Sequence, residues 1–144
     1  MPILTQAQGT KTAITIASVI ASGAYVVSSA IDLSAVIPLD LSVELEILPT
    51  GTPTGNAQCV LFAQLSLDGT NYGTPSSGYA VANENQMHYV GRLPCAGLTV
   101  LSRKAFSMAA LPVARYVRFV VKDDMGIAAT GLALSYATIT GVST

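Results

Sequence analysis

Charge is the scarcest property of this sequence. Only 10% of its 144 residues are charged and 51% are hydrophobic, whereas charged residues make up about 25% of an average globular domain. The length is sufficient for one domain with a sizeable core. A monomer this poor in charge would expose much apolar surface, and such surface usually marks a site of association. We therefore expect an obligate homo-oligomer or a component of a larger lattice.

The few charges are balanced and spread along the chain. Seven basic and eight acidic residues give a net charge of −1. No basic cluster is present that could neutralise phosphate groups. The composition therefore argues against a nucleic-acid partner.

Residues that carry chemistry are also scarce. The single histidine, His88, would need a serine and a carboxylate beside it to form a hydrolase triad, and no GxSxG motif is present. Gly51 and Gly55 lack the lysine that follows in a phosphate-binding loop. Cys59 and Cys95 with one histidine are too few for a zinc site. We expect no catalytic residue, cofactor or metal, and interpret the cysteines as buried thiols, with a disulfide left open.

One uncharged stretch, Thr12 to Ile31, is long enough to cross a bilayer as a helix. It is rich in serine and threonine, however, and its apolar residues are mostly alanine or β-branched. Ser22-Gly23 divides it, which favours two strands joined by a turn. A signal peptide is disfavoured because the apolar stretch after Lys11 is interrupted. We expect no membrane partner.

Alternation of apolar and polar residues dominates the chain. It is clearest in "LDLSVELEIL", where one face of the predicted strand would carry Leu39, Leu41, Val43, Leu45 and Ile47. Turn-forming residues follow from Pro49 to Asn56, and apolar residues resume from Ala57 to Leu67. We predict that the two segments form an antiparallel hairpin with a long tip.

The middle of the chain is punctuated by turn signals. Asp68 to Gly73 begins with Asp-Gly, which indicates a tight turn, and the polar residues Thr74 to Gln86 indicate a long surface loop. Short strands are predicted at Met87 to Leu93 and at Leu98 to Met108. The break between them is "PCAG", Pro94 to Gly97.

A second hairpin is predicted at the end of the chain. Val113 to Lys122 would be its first strand, Asp123 to Gly126 its turn, and Ile127 to Ile139 its return. Asp123 and Asp124 are interpreted as turn residues rather than calcium ligands, because adjacent carboxylates point to opposite sides of the chain.

Five residues are candidates for contacts between subunits. Arg115 and Arg118 are three positions apart, so an ideal strand places them on opposite faces; the one facing inward would need a partner within the subunit or across to a neighbour. Tyr72, Tyr79 and Tyr89 lie in or near the long loop. They suit either a glycan platform or an interface, and we favour the interface. Four carboxylates are candidate partners for the arginines: Glu44, Glu46, Asp123 and Asp124.

About eight short strands separated by turns predict an all-β fold, an antiparallel β-sandwich of jelly-roll type. The first twelve residues are polar, without a core signal, and are predicted to form an extended N-terminal arm (residues 1–12). Residues 13–144 would then make a single sandwich domain.

Two segments resemble a known group of proteins. "LFAQLSLDGTNYGTPSSG", Leu61 to Gly78, resembles a segment of small virion structural proteins of tailed bacteriophages, in which a strand ends in an S-x-DG-x-N-aromatic turn. "LPVARYVRFVVKDDMG" with "GLALSYATI" is similar to the closing strands of the same sandwiches and to discoidin-like jelly rolls.

The resemblance implies a role more than a chemistry. It implies a non-enzymatic virion protein, best a capsid cement or decoration protein that bridges coat subunits, with a homotrimer favoured. The major capsid protein or other virion proteins would be its partners, and the capsid surface its location after assembly in the host cytoplasm. A tail or neck component and a glycan-binding module are the alternatives.

Overall fold

The computed structural model describes residues 4–97, 99–109, 111 and 113–143. Strands and short loops account for nearly all of them, and they form two antiparallel five-stranded sheets that pack face to face. In chain order the strands are β1 (Leu4–Gln8), β2 (Thr12–Ile14), β3 (Tyr25–Val27), β4 (Ile31–Asp32), β5 (Asp40–Pro49), β6 (Gln58–Ser66), β7 (His88–Pro94), β8 (Ser102–Ser107), β9 (Tyr116–Asp124) and β10 (Ala129–Ser143).

The topology is that of a jelly roll, which confirms the predicted fold. The first sheet has the order β1-β10-β5-β8, with β2 also beside β10, and the second has the order β3-β9-β6-β7, with β4 also beside β9. Most connections cross from one sheet to the other, as two interlocked Greek keys require. The exception among the long strands is β6 to β7, which are neighbours in the second sheet.

Strand β5 follows its sequence pattern closely. Its residues alternate between half-buried and buried along the whole length. Leu41, Val43, Leu45 and Ile47 point inward and are fully buried. Leu39, expected on the same face, precedes the strand and is 60% exposed. The alternation arises because only one face of the first sheet packs on the core.

The first predicted hairpin is wrong. β5 pairs with β10 and β8 in the first sheet, whereas β6 pairs with β7 and β9 in the second. The connection over residues 50–57 therefore crosses the end of the sandwich. Alternation in each segment reports which side chains face the core, but it carries no information about which strand lies alongside.

The second predicted hairpin is wrong for the same reason. β9 begins at Tyr116 rather than Val113 and pairs with β3, β4 and β6. β10 pairs with β1, β2 and β5 in the other sheet. Asp123 and Asp124 are the last residues of β9, and the chain changes sheet at residues 125–128.

The remaining predicted segments are close to the observed ones. Residues 12–31 contain two short strands, and a turn at Ser22-Gly23 separates them, with Gly23 in the left-handed region (φ 71°). The surface loop of residues 74–86 ends in a short 3-10 helix, Val81–Gln86. In the part of the chain that the structure describes, no helix is long and apolar enough to cross a membrane.

The predicted arm is extended over its described part. Leu4–Gln8 forms β1, which pairs antiparallel with the end of β10 in the same chain. The residues of β1 whose side chains are described are all exposed. This segment therefore adds a strand to the sheet without adding to the core.

The core between the sheets is built from inward-facing residues of both. The largest fully buried side chains include Phe119, Leu41, Leu45, Ile47, Leu61, Met108 and Met125. A second, smaller cluster lies on the outer face of the second sheet and contains Val60, Phe62, Met87 and Val120. β6 is thus buried on both faces, which explains why its sequence is continuously apolar rather than alternating.

Candidate functional site

The outer face of the second sheet is covered by the loop of residues 67–87, here called the covering loop. Without it, Val60, Phe62 and Val120 would be exposed. Met87 and Tyr79 from the loop pack against them. Burial of this apolar patch is the driving force that holds the loop on the sheet.

The covering loop begins with a turn that satisfies its own polar groups. The Asp68 carboxylate accepts hydrogen bonds from the backbone N–H groups of Thr70 and Asn71, both at 2.8 Å, and from the Asn71 side chain at 2.7 Å. The Ser66 hydroxyl accepts from the Gly69 N–H at 2.9 Å. These bonds, the one from the Asn71 N–H first, hold the pKa of Asp68 far below its usual range. The S-x-DG-x-N motif is therefore a structural turn.

Gln64 is the centre of the contacts that fasten the loop. Its side chain is on the outer face of β6, yet only 2% of the residue is exposed. Its carbonyl oxygen accepts hydrogen bonds from the Tyr79 hydroxyl at 3.0 Å and from Arg118 Nε at 2.9 Å. Its amide group donates to the Pro75 carbonyl at 2.9 Å. The Gln64 side chain thus joins β6 to the neighbouring strand β9 and to two points of the loop.

Arg118 completes this arrangement. Its guanidinium lies 4.3 Å from the centre of the Tyr72 ring, a cation–π contact in the favourable range. Its Nη2 also donates to the Tyr79 hydroxyl at 3.4 Å. The structure therefore brings together three of the five candidate residues, Tyr72, Tyr79 and Arg118, and their contacts lie within the subunit.

A second group fastens the far end of the loop. Glu84 forms an ion pair with Lys122 at 2.6 Å and accepts a hydrogen bond from the Tyr25 hydroxyl. The Tyr25 and Tyr79 rings stack with centroids 6.1 Å apart. Burial, then the hydrogen bond to Glu84, raises the pKa of Tyr25.

The other two candidate residues lie elsewhere. Arg115 is exposed and precedes β9; its carbonyl accepts a hydrogen bond from the Leu33 N–H at 2.8 Å. Because Arg115 lies outside β9, the alternation of a strand does not fix its direction relative to Arg118. Tyr89 on β7 is 54% exposed. Its ring packs edge-on against the Phe62 ring, with the ring centroids 6.2 Å apart.

The carboxylates proposed as partners of the arginines are used differently. Glu44 and Glu46 are on the outer face of the first sheet, where both face Lys11 and Arg103. Asp124 accepts hydrogen bonds from Asn56 and Gln58. Among the described residues, neither Arg115 nor Arg118 forms an ion pair with any of the four.

Asp123 points into the core and is fully buried. Its Oδ1 accepts a hydrogen bond from the Met125 N–H at 2.8 Å, but its Oδ2 has no partner among the described residues. Burial raises the pKa of this carboxyl. As predicted, adjacent Asp123 and Asp124 point to opposite sides of the strand.

The cysteines are buried free thiols, as predicted. Cys59 lies opposite Asp123 in the sheet register. The neighbouring Cys95 thiol, then burial, raises the pKa of Cys59, which keeps this thiol protonated and unreactive. His88, at the start of β7, is exposed.

The sequence patterns did not single out four side chains of the fastening contacts: Gln64, Tyr25, Glu84 and Lys122. Gln64 carried a usable signal, since it is a polar residue inside the apolar run "VLFAQL". A buried polar side chain in such a run needs hydrogen-bond partners. The partners themselves come from sequence positions 11, 15 and 54 residues away.

One end of the sandwich carries no charge over three converging segments, and we call it the uncharged end. The segments are residues 33–39, 108–114 and 139–143. In its described part, Val36, Ile37 and Leu39 are 69%, 54% and 60% exposed. Leu67, 80% exposed, borders an open groove of about 510 Å³ at this end. The groove is lined by Leu65, Ser66, Leu67, Asp68, Asn71, Val113 and Ala114.

Comparison with known proteins gives no independent assignment. Neither a scan against protein-family models nor a search of curated proteins returned a match for this chain.

Proposed function

We propose that this chain is a non-enzymatic virion structural protein, a capsid cement or decoration protein that associates with itself, as a trimer, and with coat subunits. The observation that carries the proposal is the uncharged end. Four large exposed apolar side chains, Val36, Ile37, Leu39 and Val142, lie in these uncharged segments. Such a surface, bordered by polar residues, is typical of protein–protein contacts.

A contact of ordinary interface size at the uncharged end would offset the usual cost of association. An interface of ordinary size buries roughly 1,600 Å² in total, of which about 57% is apolar. At about 25 cal/mol per Å² this contributes on the order of 20 kcal/mol. Association costs between about 4 and 15 kcal/mol. A cement protein would therefore bind through apolar burial without any covalent step.

The covering loop supports the same role. It is held by Gln64, Arg118 and Glu84 at separate points along its length. A surface that is ordered before binding loses less conformational entropy when a partner arrives. A sandwich whose loop is already fastened therefore suits a lasting contact between virion subunits.

The glycan-binding alternative has less support. Tyr72 is stacked by Arg118, and Tyr79 is hydrogen-bonded and stacked on Tyr25. Both rings are therefore engaged within the subunit rather than presented as a flat platform. A tail or neck component would use the same apolar contact, and electron microscopy of labelled particles separates it from a capsid location.

The test uses two matched variants. Ile37→Asp places a charge in the uncharged end; Val19→Asp places one at a similarly exposed position in the connection between β2 and β3, since the two residues are 54% and 58% exposed. We expect light scattering to show an oligomer for the wild type and for Val19→Asp, and a smaller species for Ile37→Asp. Binding to shells assembled without this chain should follow the same order. A wild-type chain that is monomeric at micromolar concentration and does not bind shells would overturn the proposal.

A further inference from the structure

Strand β1 is an edge that lacks the usual protection against pairing. Its sequence is LTQAQ, without lysine, proline or any charge. The other edges are protected in recognised ways: β8 carries Arg103 and Lys104, β7 ends at Pro94, and β2, β3 and β4 are only two or three residues long. Natural sheets use charge, proline and short strands to prevent edge-to-edge association.

The outward side of β1 has hydrogen-bonding groups to offer. The Gly9 N–H donates to the Thr138 carbonyl at 2.8 Å, so the backbone groups of alternate residues Thr5 and Ala7 face β10. Those of Leu4, Gln6 and Gln8 therefore face away from it. In the part of the chain that the structure describes, no strand lies on that side of β1.

We propose that β1 is an interaction surface for a second copy of this chain. The two β1 strands would pair antiparallel about a two-fold axis that passes midway between the two copies of Gln6. Gln6 then lies opposite Gln6 of the second copy, and Leu4 opposite Gln8. The two first sheets join into one continuous ten-stranded sheet, since each has five strands.

We infer a second copy of this chain as the partner because its β1 is the edge strand best suited to pair with β1. β1 cannot pair with another edge of the copy, since those edges carry charge or proline or are too short. Pairing β1 with β1 brings no like charges together, and each outward-facing pair exchanges two backbone hydrogen bonds. β1 lies beside residues 139–143 of the uncharged end, but the edge contact uses the outward backbone groups of β1 rather than exposed apolar side chains, and it does not rest on the proposed function.

The register can be tested with introduced cysteines. Cα atoms of a hydrogen-bonded pair are about 5.5 Å apart, within the range of about 4.4 to 6.8 Å that a disulfide spans. Gln6→Cys should thus form a symmetric covalent dimer on mild oxidation. Thr5→Cys is the matched control. Thr5 is also exposed, but it would lie opposite Ala7 of the second copy, and the two Thr5 residues would be diagonal neighbours about 7 to 8 Å apart. The native cysteines are buried, so we expect them not to cross-link.

We expect Gln6→Cys to cross-link at least about tenfold faster than Thr5→Cys, with Ile37→Asp leaving this difference unchanged. A second variant, Gln6→Pro, removes an outward N–H that β10 does not use. It should halve the mass seen by light scattering, from a dimer to a monomer or from two joined trimers to one, whereas Gln6→Ala should not. Equal cross-linking rates for the two cysteine variants, or a mass unaffected by Gln6→Pro, would overturn the proposal.

Discussion

Replacing Gln64 with alanine tests whether the covering loop is fastened as described. The substitution removes two hydrogen bonds accepted from Tyr79 and Arg118 and one donated to Pro75. A bond from a charged donor contributes about 1.5–3 kcal/mol and a neutral one about 1 kcal/mol. Tyr79 and Arg118 are half-buried, so hydrogen bonds to water would replace part of the lost stabilisation. We expect the free energy of unfolding to fall by about 2–3 kcal/mol.

The assay is thermal unfolding followed by circular dichroism. A loss of this size lowers Tm by roughly 6 to 12 °C for a domain of this length. Gln86→Ala is the control, because Gln86 is an exposed glutamine of the same loop. Hydrogen exchange should also increase across residues 67–87 in the Gln64 variant. If the two variants unfold within about 0.5 kcal/mol of each other, Gln64 does not hold the loop.

Three further predictions concern stability. Because the folded-state pKa of Asp123 is raised, the wild type loses stability as pH rises from about 4 through that pKa. The free energy of unfolding in urea should therefore be higher for Asp123→Asn than for the wild type by a larger margin at pH 7 than at pH 4. The same margin at both pH values would contradict this prediction. Glu84→Gln leaves Lys122, 13% exposed, without its ion-pair partner and should cost about 1–3 kcal/mol by the same assay; no loss would show that solvent compensates. Phe119→Ala should cost about 3–5 kcal/mol of stability because Phe119 is fully buried. The stability of Leu67→Ala should differ from that of the wild type by no more than about 0.5 kcal/mol. Equal losses for the two variants would contradict the assigned core.

The candidate site was only partly predictable. Tyr72, Tyr79 and Arg118 were chosen from the sequence, and they do lie together, but around a glutamine that the sequence argument passed over. The sequence offers four carboxylates as candidate partners for Arg115 or Arg118, yet an amide, a hydroxyl and an aromatic ring surround Arg118. Charge alone does not determine a partner when the residues that meet are 39 and 54 positions apart.

The sequence by itself determined the all-β class, the inward face of β5 and the turn at Asp68-Gly69, because alternation and turn chemistry act between residues a few positions apart. Only the tertiary structure decided that β5 and β6, and likewise β9 and β10, belong to different sheets. A strand presents the same buried face whichever neighbour it pairs with, so its pattern cannot choose among them. The choice is made by the packing of two whole sheets around Phe119 and its neighbours, and by the covering loop that buries the second face of β6.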